Sequence, residues 1–445
     1  MIYRTLQLLL NIFFRIYYRL HYRNIDNVPK TGPVILAPNH VNAFIDPTIS
    51  CMLLWRKVRF FARGDVFKGK VARYFLNKMN ISPMYRIQEG FAEVKKNDKT
   101  FEECKKLLSE NKAILLFPEA ICVQERRLRK LRKGLARILF ISEEEFDFKK
   151  EVLVVPVGLN YSDPAKLRSK LFIDFGKPVT VCDYIEKYKN DKVRTINEFT
   201  QFLEDKIRET LVVIDDPAND ELMKCMEEMF LHPLMKENGF DAHDPEKDHI
   251  VTKQLGDAIN LIGKSFPDRF HSFREKVTAY VRELHARRLR DHLLRTGSIE
   301  AMSTLSFIKD FLIIWFGMPL YVAGMFMNYP PYFFAERFAR KKAKEIEFHA
   351  SVAANLSWIL WFLWFAIQLV AVGLLLRDWP LLAIYALLVP LTLFFSIRFD
   401  PVMRKIFGRW RLMRLVRKEK AVVERLIFTR NDIEQEFEKF KEFRV

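Results

Sequence analysis

From Pro33 to about Ser162 short apolar runs alternate with amphipathic stretches. "PVILAP", "VRFFAR", "ISPMYR", "AILLFPEA" and "VLVVPVGLNYS" have the length and density of buried strands, since a strand covered on both faces reads as a continuous apolar run. "KTFEECKKLLSE", between two of them, repeats its apolar positions at helical spacing. "KLFIDFGKPVTV", residues 170 to 181, predicts one more strand with a Gly-Lys-Pro turn before its end. Together these predict an α/β core over residues 29–196, a mixed sheet flanked by helices.

The flanking regions differ in period. The opening "MIYRTLQLLLNIFFRIYYRLHYRN" is apolar but interrupted by Arg4, Arg15, Arg19 and Arg23. A secretory signal keeps its charge at the front, so residues 1–28 read as an interfacial amphipathic helix, or alternatively as a first helix packed on the core. From about Asn197 to Arg295 the apolar spacing is helical, broken by the polar "NGFDAHDPEKDH"; a helical subdomain is expected over 197–304.

Residues 305–400 are of another kind. "FLIIWFGMPLYVAGMFM" (311–327), "WILWFLWFAIQLVAVGLLL" (358–376) and "LLAIYALLVPLTLFFSI" (381–397) are each near the length that crosses a hydrocarbon core. "RDWP" alone joins the last two, which predicts a C-terminal helical hairpin of transmembrane helices. Basic stretches flank that hairpin on one side, "ERFARKKAK" before it and "RFDPVMRKIFGRWRLMRLVRK" after it, and this bias places both flanks in the cytosol. If the α/β body is cytosolic too, residues 311–327, which contain Pro319, are expected to re-enter rather than cross, a plain span being the alternative. Residues 401–445 read as a basic and then amphipathic cytosolic tail.

Composition narrows the class. Half of the 445 residues are hydrophobic, 40 are Phe, 29% are charged, and the net charge is +18. That mixture suits a globular body held against an anionic membrane surface. The five cysteines, Cys51, Cys104, Cys122, Cys182 and Cys225, show no zinc-ligand spacing, so a reducing compartment and no structural metal are expected.

Candidate chemistry begins in "APNHVNAFIDP", residues 37–47. Asp46 before Pro47 makes a good helix start, and His40 could be a strand-end residue satisfied by backbone. The same two residues could equally form a catalytic pair.

The rest of the chain favours the pair. "NHVNAFIDP", "ISPMYR", "LLFPEA" and "VVPVGLNY" stand in the order and spacing of the four blocks of the PlsC-type glycerolipid acyltransferases, and residues 30–180 resemble that family. Five residues separate His40 from Asp46, which resembles the branch that includes yeast-type glycerol-3-phosphate and dihydroxyacetone-phosphate acyltransferases. The resemblance implies that His40 is the catalytic base. Chemistry agrees: acyl transfer from a thioester to an alcohol needs a base for the hydroxyl proton, and a carboxylate such as Asp46 fixes the imidazole tautomer. No "GxSxG" elbow occurs, which fits direct transfer without an acyl-enzyme.

The second block ends in Tyr85 and Arg86, and the family's matching arginine is associated with the acceptor phosphate, a role a guanidinium suits. In the third block Phe117, Pro118 and Glu119 match the family's "FPEG" start, which implies that Glu119 binds the acceptor or orders the site. Ala120 replaces the usual Gly and is expected to be strained if the turn needs positive φ. Val155, Pro156 and Val157 read as structural. The run "ERRLRKLRKGLARI" makes Arg126, Arg127, Arg129, Lys130, Arg132 and Lys133 candidates for binding headgroups, CoA phosphates or acyl carrier protein, or else a solvated face.

His243 and His249, in "HDPEKDH", fit no ligand spacing and read as a polar loop rather than a metal site. No nucleic-acid motif appears. The expected function is membrane-bound transfer of a fatty acyl group from acyl-CoA or acyl carrier protein to glycerol 3-phosphate or 1-acylglycerol 3-phosphate, among membrane lipids and without a cofactor. The alternatives are a catalytically degenerate membrane scaffold and an acyltransferase for another alcohol or amine.

Overall fold

A computed structural model describes residues 2–67, 69–78, 80–84, 97–295, 304–343 and 345–442. Strands β1 (Arg19–Arg23), β2 (Val34–Pro38), β3 (Val58–Arg63), β4 (Ile81–Met84), β5 (Ala113–Leu115), β6 (Leu153–Tyr161) and β7 (Lys170–Phe175) form one seven-stranded sheet. Its order is β1-β7-β6-β2-β5-β3-β4. Every neighbouring pair is parallel except β6 and β7. Helices α1 (Ile2–Tyr17), α2 (Ile45–Met52), α3 (Lys70–Lys78), α4 (Asn97–Ser109), α5 (Gly134–Glu145), α6 (Ile185–Asn190) and α7 (Lys192–Glu209) accompany the sheet.

The central strands are apolar because helices cover them on both faces: Val34, Ile35, Leu36 and Ala37 of β2 are fully buried. Ile35 and Ala37 share a core with Leu139 and Phe140 of α5 and with Phe199, Leu203 and Ile207 of α7. Helix α7 therefore straddles the boundary expected between residues 196 and 197, and packs on the sheet. The helix expected over residues 1–28 ends at Tyr17. "RLHYR" follows as an edge strand, Leu20 pointing inward, because it finds a parallel partner in β7 about 150 residues later.

By contact the chain divides into two units, Met1–Val213 with Glu345–Ser351, and Ile214–Lys344 with Val352–Val445. The second contains helices α8 (Asp220–Glu237), α9 (Pro245–Ser265), α10 (Pro267–Ala286), α11 (Thr304–Lys342), most of α12 (Ile346–Leu376), α13 (Trp379–Lys418) and α14 (Lys420–Glu442). Three stretches, Phe307–Lys342, Glu347–Leu376 and Trp379–Lys418, are long and apolar enough to cross a membrane. Residues 311–327 lie inside one continuous helix, α11, that also carries Pro330 and Pro331. Helices α12 and α13 are joined by Arg377 and Asp378 alone, and Asp378 caps α13 by accepting from Leu381 N–H at 3.1 Å. The basic-then-amphipathic tail is helical, its last helix α14 burying Val423, Leu426, Ile433 and Phe437.

Candidate active site

Three neighbouring strands, β6, β2 and β5, run parallel, so their C-terminal ends open on the same edge, where loops of parallel sheets gather functional groups. Asn39, the residue after β2, extends the ladder: its side chain accepts from Leu159 N–H at 2.7 Å and donates to Leu159 O at 3.2 Å. His40 thus leaves the sheet from a fixed point.

The loop from His40 to Asp46 folds around one carboxylate. Asp46, fully buried in the first turn of α2, accepts through Oδ2 from His40 Nδ1 at 3.0 Å, Val41 N–H at 2.7 Å and Asn42 N–H at 2.6 Å. Its Oδ1 accepts from the Tyr161 hydroxyl at 2.8 Å. Burial raises the Tyr161 phenol well above its ordinary range, so this group donates. Asp46 does not cap the helix as its place before Pro47 suggests: it lies within the first turn of α2, whose N-cap is Phe44 without a side-chain cap, and its carboxylate serves the preceding loop and the imidazole instead. A carboxylate offers only acceptors, so the His40 proton sits on Nδ1 and Nε2 carries the lone pair. The ring stacks on Phe117, centroids 3.8 Å apart and planes 17° from parallel.

The third block lies beyond β5. Glu119, buried, accepts from His40 N–H through Oε1 at 2.8 Å and from Arg129 N–H through Oε2 at 3.0 Å. Burial pushes its carboxyl up to about 7, against the pull of those two N–H bonds. Ala120 adopts φ 58°, in the left-handed region where the family's Gly is at ease, and its N–H closes a turn onto Phe117 O at 3.2 Å. A side-chain-bearing residue there costs roughly 1–2 kcal/mol. Val123 N–H reaches back to His40 O at 3.1 Å, so the block is bound to the histidine on both sides of its peptide unit.

The other candidates are distributed. Tyr85 and Arg86 lie outside the described residues. Arg126 donates to Ser162 O at 3.2 Å, and Arg127 and Arg129 both pair with Glu125. Lys130, Arg132 and Lys133 are exposed. Val155 and Val157 are buried in β6 and flank Pro156, beside β2. His243 lies in a turn capped by Asp241, whereas His249 is buried on helix α9, which starts at Pro245 with Asp244 accepting from Glu246 and Lys247 N–H. The polar interruption is therefore seven residues long, 238–244, shorter than its composition suggests. Among the described residues no three His, Cys, Asp or Glu side chains come together as a metal-holding group. Sequence reasoning missed Tyr161 and Asn42; the first stands in "VVPVGLNY" itself, where a tyrosine ending a buried strand at the same sheet edge as His40 was the available signal.

Residues 19–160 match the family model described as Acyltransferase. Glycerol-3-phosphate O-acyltransferase 2 of Saccharomyces cerevisiae is 26% identical over 293 residues, which cover 62% of this chain and 36% of the yeast protein. An uncharacterized acyltransferase of Schizosaccharomyces pombe is 26% identical over 251 residues, 55% of this chain and 35% of its own. The chain thus spans about a third of the length of these curated relatives, 36% and 35%. The crystal structure of the 1-acyl-sn-glycerophosphate (LPA) acyltransferase PlsC from Thermotoga maritima aligns with 45% of this chain and 75% of its own, at 15% identity and TM-score 0.33. The stretch that matches the acyltransferase family model, residues 19–160, carries the His40–Asp46 pair at the end of β2.

Proposed function

We propose that this chain is a membrane-bound O-acyltransferase that moves a fatty acyl group from acyl-CoA or acyl carrier protein to a hydroxyl of glycerol 3-phosphate or 1-acylglycerol 3-phosphate. One observation carries the reading: His40 Nδ1 is held at 3.0 Å by the buried carboxylate of Asp46, which leaves Nε2 as the basic nitrogen. In the reaction the acceptor oxygen attacks the thioester carbonyl carbon while Nε2 takes its proton. The C–S bond then breaks, and the same imidazolium returns the proton to the leaving thiolate. Asp46 compensates the transient positive charge, as the carboxylate of a hydrolase triad does. No protein nucleophile is needed, because the substrate supplies it.

Both oxygens of Glu119 are occupied by backbone N–H groups, which favours its ordering role over a direct contact with an anionic acceptor. Arg86 stays the candidate for the acceptor phosphate, on the family resemblance and on guanidinium chemistry. The name of the yeast relative supports glycerol 3-phosphate, and three apolar helices support a lipid acceptor arriving from the bilayer. Basic residues before α12 and through the end of α13 favour a cytosolic face for the catalytic unit.

Thiol release from an acyl-CoA by the purified protein in detergent, with each acceptor in turn, tests this. Acceptor-dependent turnover is expected to fall by about 10²–10⁴-fold in His40→Ala, the usual worth of a general base. Equal turnover in His40→Ala would remove the assignment.

A further inference from the structure

Five residues, Val41 to Ile45, separate His40 from Asp46. Asp46 takes the N–H groups of Val41 and Asn42. The N–H of Phe44 has a different acceptor, the hydroxyl of Ser351 at 2.9 Å. That hydroxyl in turn donates to Asn42 Oδ1 at 2.5 Å. The Asn42 amide completes the chain by donating to the Tyr18 hydroxyl and to Pro164 O, each at 3.3 Å. Phe348, one turn before Ser351, packs edge-on against Phe44 with centroids 5.6 Å apart. Asn42 and Ser351 are both fully buried. Ser351 is about 300 residues from the loop in sequence and outside the family-matched stretch 19–160, yet residues Glu345–Ser351 belong to the catalytic unit.

We propose that Ser351 is a positioning residue for the His40–Asp46 pair, and that segment 345–351 completes the catalytic unit by bracing the loop between them. The position requires a small group that accepts and donates at once, a property of Ser and Thr hydroxyls. Alanine would leave the Phe44 N–H without this acceptor and the buried Asn42 carbonyl without this donor. Asn42 is the link to chemistry, because its own N–H is one of the donors that aim the Asp46 carboxylate at His40. A loop free to shift there changes the imidazole's orientation while leaving the surfaces that bind substrates in place.

The inference rests on His40 acting as base, so the experiment carries both questions. Full-length wild type, Ser351→Ala, Ser351→Thr and His40→Ala are compared in detergent for kcat, for KM of donor and acceptor, and for amide hydrogen exchange in peptides covering residues 40–46 and 153–161. Ser351→Ala is expected to lower kcat about ten- to a hundredfold with KM changed by less than about twofold, the pattern of lost orientation. Exchange should quicken in 40–46 alone, and Ser351→Thr should recover most of both effects. Wild-type kcat with unchanged exchange in Ser351→Ala overturns the proposal. Exchange quickened throughout the sheet, or kcat and KM altered together, also overturns it and makes Ser351 a general packing residue. Full turnover in His40→Ala is a failure of the base assignment instead, and the loop exchange then still decides whether Ser351 braces it.

Discussion

Glu119 joins the chemistry of the site to the stability of the protein. It is buried, and its carboxyl is raised from an ordinary 4.5 to about 7, chiefly by desolvation. The folded chain therefore holds a proton between pH 4.5 and 7 that an unfolded chain would release. The stability linked to this group is complete below pH 4.5 and is lost as pH rises through 7. A shift of that size corresponds to on the order of 3 kcal/mol. Glu119→Gln is neutral at every pH and lacks the dependence. Unfolding midpoints of the two proteins in detergent are expected to diverge between pH 5 and 8, with wild type losing ground as pH rises; a constant difference would contradict the burial argument. Ala120 next to it answers a question raised by sequence alone: the turn does need positive φ, and the chain tolerates Ala there while its N–H bond to Phe117 closes the turn.

Helix α11 shows how an element with three internal prolines persists. Pro331 has no N–H, so the Met327 carbonyl four residues earlier loses its intrahelical donor. Trp364 Nε1 and Gln368 Nε2 of α12 supply donors to that carbonyl at 2.9 and 3.1 Å, as freed backbone groups in an apolar setting require. Asn328 adds a second tie, accepting from Trp361 Nε1 at 2.9 Å and donating to Val389 O of α13 at 3.2 Å. Gly324 allows the close approach, since a Cβ there would lie 2.2 Å from Ser396 Oγ and 2.7 Å from Thr392 O. These ties yield a reciprocal prediction. Trp364→Phe with Gln368→Leu should destabilise the protein by about 1–2 kcal/mol, and the loss should shrink when Pro331→Ala restores the donor within the helix. Thermal unfolding of the four proteins in one detergent gives the coupling; strictly additive effects would mean that the Met327 carbonyl is not the shared partner. The central strands and long apolar helices were legible because each announces itself within its own ten to thirty residues. Strand β1 was not, since its alternation is brief and its partner β7 lies far along the chain. Helix α7 was recognised as helical, but which unit its apolar face joins is a tertiary fact.

The same limit governs the site as a whole. His40, Asp46 and Glu119 were legible as blocks, and the structure brings them together. Tyr161 and Ser351 reach the same loop from the end of β6 and from the first turns of α12; Tyr161 at least ends a quoted block, whereas no local pattern marks Ser351. Charge is legible in sum and not in place. The net +18 is a property of the whole chain, whereas near the third block Arg127 and Arg129 are already paired with Glu125, leaving Lys130, Arg132 and Lys133 exposed. If these three attract an anionic donor, the attraction acts through solvent and is screened over a Debye length of about 10 Å at 0.1 M salt. Their effect then belongs in donor capture and not in the chemical step. KM for a medium-chain acyl-CoA, used below micelle-forming concentrations, is expected to rise several-fold with salt between about 20 and 300 mM in wild type. Replacing all three by Glu should raise KM at low salt and remove or reverse that dependence, with kcat preserved. A salt response identical in both proteins would show that these cations form only a solvated face.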